Sequence, residues 1–171
     1  MLQFLNDLEL SNTLESITQI TKDLYSKHFC NGEKLCIHLK GLEYMNDDPS
    51  EVDVLYAKVE DSTKRIQNFV DELVKTLSSF PCVRKEKESV KLHATLMNTI
   101  FRLDDTNNCT NFDKPNKCGK KQRVTFDARD IFESFEDFDF ARIPVNSIDI
   151  NVRGRFESNG LYRKSAAISL V

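Results

Sequence analysis

The chain has 171 residues with 24 Lys and Arg against 27 Asp and Glu, so its net charge of -3 shows no overall basic excess that would point to nucleic acid. A chain of this length is expected to form one domain, over residues 1–171, and its 12 phenylalanines and its aliphatic residues suffice for a core without metal or disulfide staples. It shows neither an N-terminal signal nor the roughly 18 consecutive apolar residues of a membrane-spanning helix. Five scattered cysteines suit reduced thiols, and the sequence therefore predicts an intracellular protein.

The first half of the chain predicts two helices and two strands. Apolar residues at three- and four-residue steps, behind a capping signal, predict an amphipathic helix over about residues 12–28. Alternation that starts at Leu35 predicts a strand, and residues 52–59 predict a second strand that pairs with it across the turn-forming residues 46–50. From Ser62 to Phe80 the same helical spacing gives the clearest helix of the chain, which Pro81 ends.

The second half of the chain is dominated by strands. Residues 89–102 alternate, which places His93 and Thr95 on one face, together with Lys91 and Met97. Residues 104–122 lack apolar periodicity and predict a long loop. The remaining predicted elements are a short helix capped by Asp127, a strand over 145–152, and a strand over 161–171 that returns after a turn. This order predicts an α+β fold with an antiparallel sheet.

His93 and Thr95 are the sharpest candidates for chemistry. A strand places alternate side chains about 6.6 to 7 Å apart on one face, so an imidazole that moves a proton and a hydroxyl that donates a hydrogen bond could hold one phosphate. A solvated sheet face or a partnered histidine would explain the same spacing. Two-step proton transfer at a phosphodiester also needs both an acid and a base, and one histidine supplies only one of them.

Five segments of the chain carry a resemblance to a known family. They are Leu-Glu-Tyr-Met-Asn-Asp-Asp-Pro at 42–49, Val-Asp-Val-Leu-Tyr-Ala-Lys-Val at 52–59, Lys-Leu-His-Ala-Thr-Leu-Met-Asn-Thr at 91–99, Phe-Asp-Ala-Arg-Asp-Ile at 126–131 and Val-Asn-Ser-Ile-Asp-Ile at 145–150. With them the chain resembles, over nearly its whole length, the kinase-anchoring-protein-7-like branch of the two-histidine (LigT-like) phosphoesterase superfamily. The resemblance implies two lobes of antiparallel sheet flanked by helices, each lobe contributing one His-x-Thr/Ser motif to a central cleft.

The resemblance also implies a chemistry, which needs no metal or other cofactor. The family acts on phosphodiester ends of RNA or on 2',5' or cyclic nucleotide phosphodiesters, and His93 and Thr95 match its second motif. One histidine activates the attacking water or hydroxyl, the other protonates the leaving oxygen, and the Thr/Ser hydroxyls hold the phosphoryl oxygens.

The first motif of the family is absent from this chain. Neither His28 nor His38 is followed by x-Thr/Ser. Because the family carries that motif on a strand immediately before the first helix, we expect an N-terminally truncated domain that lacks this strand and has little or no activity. An unpaired sheet edge would then remain, and it favours a homodimer formed by strand donation.

Two charged segments are candidate interaction sites. The loop after the His93 strand carries five basic residues and no acid between them, and these residues are Lys114, Lys117, Lys120, Lys121 and Arg123. They could bind a phosphate backbone together with Lys91, or form a solvated loop. The acidic residues Asp127, Asp130, Glu133, Glu136, Asp137 and Asp139 could face a basic partner, or form a solvated helix face.

Metal sites are not predicted, and the function follows from the resemblance. Cys109 and Cys118 lack the further ligands of a zinc site, and the acidic turn between Glu43 and Asp53 does not fit an EF-hand. We expect an RNA- or nucleotide-binding, phosphodiesterase-like domain from a subunit of a nuclear complex for transcription coactivation and DNA alkylation repair, with some cytoplasmic occurrence. The alternative is a non-catalytic module of that complex, which binds RNA, a helicase and other subunits.

Overall fold

The part of the chain that the structure describes folds into antiparallel strand pairs and three helices. A computed structural model describes residues 2–4, 7–29, 34–81, 83–85, 89–101 and 124–170. The strands are β1 (Leu2–Phe4), β2 (Cys36–Tyr44), β3 (Val54–Glu60), β4 (Val83–Lys85), β5 (His93–Asn98), β6 (Asp139–Pro144), β7 (Ser147–Phe156) and β8 (Tyr162–Ser169). The helices are α1 (Asp7–His28), α2 (Arg65–Leu77) and α3 (Arg129–Phe135), with one 3-10 turn at Thr99–Phe101. This architecture confirms the predicted α+β class and agrees with the LigT-like fold.

The chain divides into two compact units. The first, called here the helix unit, consists of Met1–Ile37, Asp61–Leu92 and Arg142–Val171. The second, called here the sheet unit, consists of His38–Glu60 and His93–Ala141. The expectation of one domain over residues 1–171 stays a prediction.

The core of the helix unit forms around the apolar face of α2. Its buried residues are Ile66, Phe69, Leu73, Val74 and Leu77, as the helical spacing predicts. Phe69 packs edge-on against Tyr25 and Phe29, with ring centroids 6.1 and 5.6 Å away. Helix α1 begins at Asp7 rather than near residue 12, because its first four residues, Asp-Leu-Glu-Leu at 7–10, contain no helix breaker. Helix α2 is shorter than predicted at both ends.

Strand pairs complete the helix unit. Strands β7 and β8 form the predicted hairpin, which Phe156 and Tyr162 close with ring centroids 4.6 Å apart. Strands β1 and β4 pair with each other. Neither of these short strands is predicted, because three residues are too few to show a periodicity.

The sheet unit is built on a four-stranded sheet in the order β5-β3-β2-β6. Strands β2 and β3 form the predicted antiparallel hairpin. In the turn between them, the Asp48 carboxylate accepts hydrogen bonds from the backbone N–H and the hydroxyl of Ser50, at 2.8 and 2.6 Å. The core beneath the sheet consists of Leu42, Val52, Leu55 and Ala128, with the side chains of Phe126, Phe132 and Phe140 packed around it.

Two irregularities interrupt the sheet register. In β2 the register shifts between Leu39 and Leu42, where Gly41 has a φ of +76°. In β5, Leu55 is opposite Met97 while Tyr56 is opposite Thr95, so Leu96 is an extra residue. The extra residue places Met97 opposite Leu55, and the prediction that Met97 shares the face of His93 is therefore wrong.

The predicted basic loop and the predicted short helix have different outcomes. The basic residues from Lys114 to Arg123, together with Cys109 and Cys118, lie outside the described residues. The predicted short helix is present as α3, but it ends at Phe135, and the chain turns into strand β6 from Asp139.

Candidate phosphate-binding site

His93 and Thr95 lie on β5, an edge strand among the strands that the structure describes. His93 is opposite Lys58 and Thr95 is opposite Tyr56 on β3. Directly opposed residues of antiparallel strands share a face, so these four side chains leave the sheet on the same side. The side chains of His93 and Thr95 are both exposed, and the structure thus brings them together on an accessible face, as the alternation predicts.

Tyr56 forms the floor of this site. Its side chain is 0% exposed, and its ring meets the ring of His93 at a centroid distance of 5.1 Å and an interplanar angle of 65°. Edge-to-face packing of this kind restricts the orientation of the imidazole, and His93 is nevertheless exposed. The sequence pattern places Tyr56 in a strand, but nothing in it indicates that the residue supports His93.

Lys58 shares this face, but its charged group extends towards β2. A Cβ atom built at Gly41 of β2 would lie 2.6 Å from Lys58 Cε and 3.0 Å from Lys58 Nζ. Strand β2 lies on the other side of β3 from β5. Pairing with His93 in the strand register therefore does not by itself place the Lys58 ammonium group next to the imidazole.

The predicted basic ligands of the site have different positions. Strand β5 begins at His93, so Lys91 precedes the strand and belongs to the helix unit. Lys91 thus lies outside the paired part of β5, its side chain is exposed, and its place on the His93 face stays a prediction. The remaining candidates, Lys114, Lys117, Lys120, Lys121 and Arg123, lie outside the described residues.

The other two histidines are held by carboxylates. In the helix unit, His28 Nε2 lies 2.7 Å from Glu72 Oε2. In the sheet unit, His38 Nε2 lies 2.9 Å from both carboxylate oxygens of Asp139, and His38 Nδ1 lies 3.5 Å from Glu60 Oε2. The strand directly before α1, where the family resemblance places the first His-x-Thr/Ser, is β1 with the sequence Leu-Gln-Phe.

The chemistry of the site follows from an exposed imidazole and a hydroxyl on one face. A protonated imidazole and a hydroxyl can each donate a hydrogen bond to a phosphoryl oxygen, and the imidazole can also transfer one proton. No group of three His, Cys, Asp or Glu side chains among the described residues has an arrangement suited to a metal ion. Within the same part of the chain, no helix is long and apolar enough to cross a membrane.

Two comparisons relate the chain to known proteins. A family model described as the AKAP7 2'5' RNA ligase-like domain matches residues 1–170. Over 167 residues, or 95% of this chain, the sequence is 41% identical to activating signal cointegrator 1 complex subunit 1 from Mus musculus. The match covers 46% of that relative, so the chain spans about half its length.

Proposed function

The chain belongs to the AKAP7 2'5' RNA ligase-like domain family, and on this premise we propose that it binds the phosphate of an RNA end or a nucleotide through His93 and Thr95. The observation that carries the proposal is the placement of these two side chains, exposed and on one face of β5, above a buried tyrosine ring. A phosphate held there would accept hydrogen bonds from the imidazole and the hydroxyl, and the protonated imidazole would add a charge-assisted interaction.

Catalysis is a separate part of the proposal. In a domain with two His-x-Thr/Ser motifs, one histidine would act as the base and the other as the acid at an RNA phosphodiester, without a metal. This chain has one such motif, and the loss of a cooperating acid or base typically costs about 10² to 10⁴ in rate. We therefore propose phosphate binding with little or no turnover.

The biological setting is proposed from the relative. That protein is named as a subunit of the activating signal cointegrator 1 complex. We propose that this chain serves a complex of the same kind, in contact with other subunits, a helicase among them. Nuclear localisation, with some cytoplasmic occurrence, stays a prediction, and so do a role in DNA alkylation repair and a homodimer formed through a sheet edge. The alternative function is that of a non-catalytic module for RNA binding and protein interaction.

Binding of a nucleotide monophosphate tests the proposal. We expect that a titration with AMP, followed in 1H-15N correlation NMR spectra, shifts the resonances of β5. His93→Ala should weaken this binding. The fold should remain intact in that variant, because the exposed imidazole contributes little to the core. The matched control is His28→Gln, which removes a histidine of the helix unit and should leave binding unchanged. Equal binding by the wild type and His93→Ala would refute the phosphate site.

A further inference from the structure

A groove lies in the sheet unit beside the edge of β2 and helix α3. It has a volume of about 470 Å³ and is lined by neither His93 nor Thr95, although Lys58, which shares their face of the sheet, is one of its lining residues. Four residues with apolar surface line it, and they are Leu42, Tyr44, Pro49 and Phe132. The rings of Tyr44 and Phe132 meet edge-to-face with their centroids 5.2 Å apart, so the apolar lining is a packed surface.

The groove is acidic in its charged residues. Glu43, Glu133 and Glu136 line it together with the cations Lys58 and Arg129. Arg129 is held by the carboxylate of Asp127, which accepts hydrogen bonds from its guanidinium group. This pairing occupies Arg129, whereas Glu133 and Glu136 are exposed, and their two charges against the one of Lys58 favour a positively charged ligand.

The sheet unit is also negative in charge. Its described residues contain 12 Asp and Glu against 3 Lys and Arg, and residues 102–123 add 3 Asp against 6 Lys and Arg, so its full sequence has a net charge of -6. At the groove, where Glu133 and Glu136 are exposed, this sign disfavours a polyanion and the like-charged groove of a second copy. Charge complementarity therefore indicates a basic polypeptide.

Exposed aromatic residues follow the groove along the chain. Phe135 ends α3 directly before Glu136, and Phe138 follows; their side chains are 47% and 49% exposed. The two rings pack edge-to-face at 5.7 Å, and Phe138 meets Phe140 at 4.9 Å. Adjacent exposed phenylalanines are unusual on a free surface, and aromatic side chains are enriched in protein interfaces.

We propose that this groove is a docking site for a basic segment of a partner protein that carries at least one apolar side chain. The apolar side chain would pack against Tyr44 and Phe132, while flanking Lys or Arg residues pair with Glu133 and Glu136. Burial of the apolar group supplies affinity, and the carboxylates select the sign of the partner's charge.

Synthetic peptides test this docking site on the complete chain. The probe is a short fluorescent peptide with a leucine and a phenylalanine between lysines, and binding is followed by anisotropy. We expect the probe to bind, and we expect two comparison peptides to bind much more weakly: one with every lysine replaced by glutamate, and one with glycine in place of the two apolar residues. Equal binding of either comparison peptide would overturn the proposal, since charge and apolar contact are both required.

Charge reversal on the protein identifies the surface. Glu133→Lys combined with Glu136→Lys should weaken peptide binding by about tenfold or more, because it replaces two attractive charges by two repulsive ones. The matched control is Glu157→Lys, an exposed glutamate just after β7, which should leave binding within about twofold.

Two further measurements separate this proposal from a folding defect and from the phosphate site. Glu133→Gln keeps the shape of the side chain, and it should also weaken peptide binding if the double variant proves unstable. AMP binding at His93 should be unaffected by the groove variants. Peptide binding that resists Glu133→Gln and the double reversal, in folded protein, would show that the groove is not the docking site.

Discussion

The imidazole of His93 rests against the ring of Tyr56, edge-to-face, with the two centroids 5.1 Å apart. Tyr56 is fully buried in β3, whereas His93 is exposed on β5. Tyr56 thus belongs to the core and His93 to the surface. Because the two rings are in contact, a change in the packing of Tyr56 would also change the orientation of the His93 imidazole.

Replacement of Tyr56 should disturb His93 without removing it. Tyr56→Phe keeps the ring and should preserve both the NMR shifts of the His93 ring protons and AMP affinity. Tyr56→Leu removes the ring, so those protons should lose the ring-current shift and AMP should bind several-fold more weakly. Because Tyr56→Leu also leaves a partial cavity that costs about 1 to 3 kcal/mol, the comparison is made at a temperature where both variants are folded. Unchanged His93 proton shifts in Tyr56→Leu would contradict the contact.

Phosphate binding at His93 should depend on salt. AMP affinity should fall with ionic strength, because the contact is charge-assisted and exposed. Calorimetric titrations at several NaCl concentrations check this, and His93→Ala should bind more weakly and show a smaller salt dependence. An identical salt dependence in that variant would assign the effect to another group.

Turnover by this chain should be slow or absent. A 2',3'-cyclic nucleotide or an RNA with a 3'-terminal phosphodiester, incubated with the purified chain and EDTA, should remain intact over times that suffice for an enzyme with both His-x-Thr/Ser motifs. Product analysis by chromatography measures this, with His93→Ala as the blank. Rapid turnover that His93→Ala abolishes would show that one motif is enough.

Gly41 should be far less replaceable than Gly160, although both have a positive φ, of +76° and +81°. A Cβ at Gly41 would lie 2.6 Å from Lys58 Cε and 2.9 Å from the backbone oxygen of Glu136, whereas nothing lies within 4 Å of a Cβ at Gly160. Gly160→Ala should cost about 1 to 2 kcal/mol of unfolding free energy, for the left-handed backbone alone. Gly41→Ala should cost more than that, because the Glu136 carbonyl is backbone and cannot move aside cheaply. Urea denaturation of the two variants measures the difference, and equal losses would contradict the close approach.

The stabilising contribution of Asp127 should disappear over a narrow acidic range. Hydrogen bonds from Arg129 lower the pKa of the Asp127 carboxyl from 3.8 to about 2. A carboxyl whose pKa is lower in the folded state stabilises the protein fully above its unfolded pKa, and this contribution disappears as the pH falls through the folded value. The wild type should therefore lose its stability advantage over Asp127→Asn between about pH 4 and 2. Denaturation curves at several pH values check this, with Asp130→Asn as the control, and a constant difference across that range would contradict it.

Local sequence patterns determined much of the fold and the pairing of the candidate site residues. The three- and four-residue spacing of Ile66, Phe69 and Leu73 defines the buried face of α2, because a helix repeats every 3.6 residues. The alternation around His93 places its side chain beside that of Thr95, because a strand repeats every two. The family was also recognisable from short segments, because each segment is an unbroken run of residues that can be read without knowledge of the fold.

Only the tertiary structure determined what surrounds those residues. The extra residue Leu96 ends the alternation of β5, and it is visible only in the pairing with β3, which comes from another part of the chain. The Tyr56 floor beneath His93 joins positions 37 residues apart. The approach of Glu136 to Gly41, and the groove beside it, join positions still more distant. Periodicity reports which side of its own element a residue occupies, whereas contacts between elements depend on strand order and register, which are set by the packing of the whole chain.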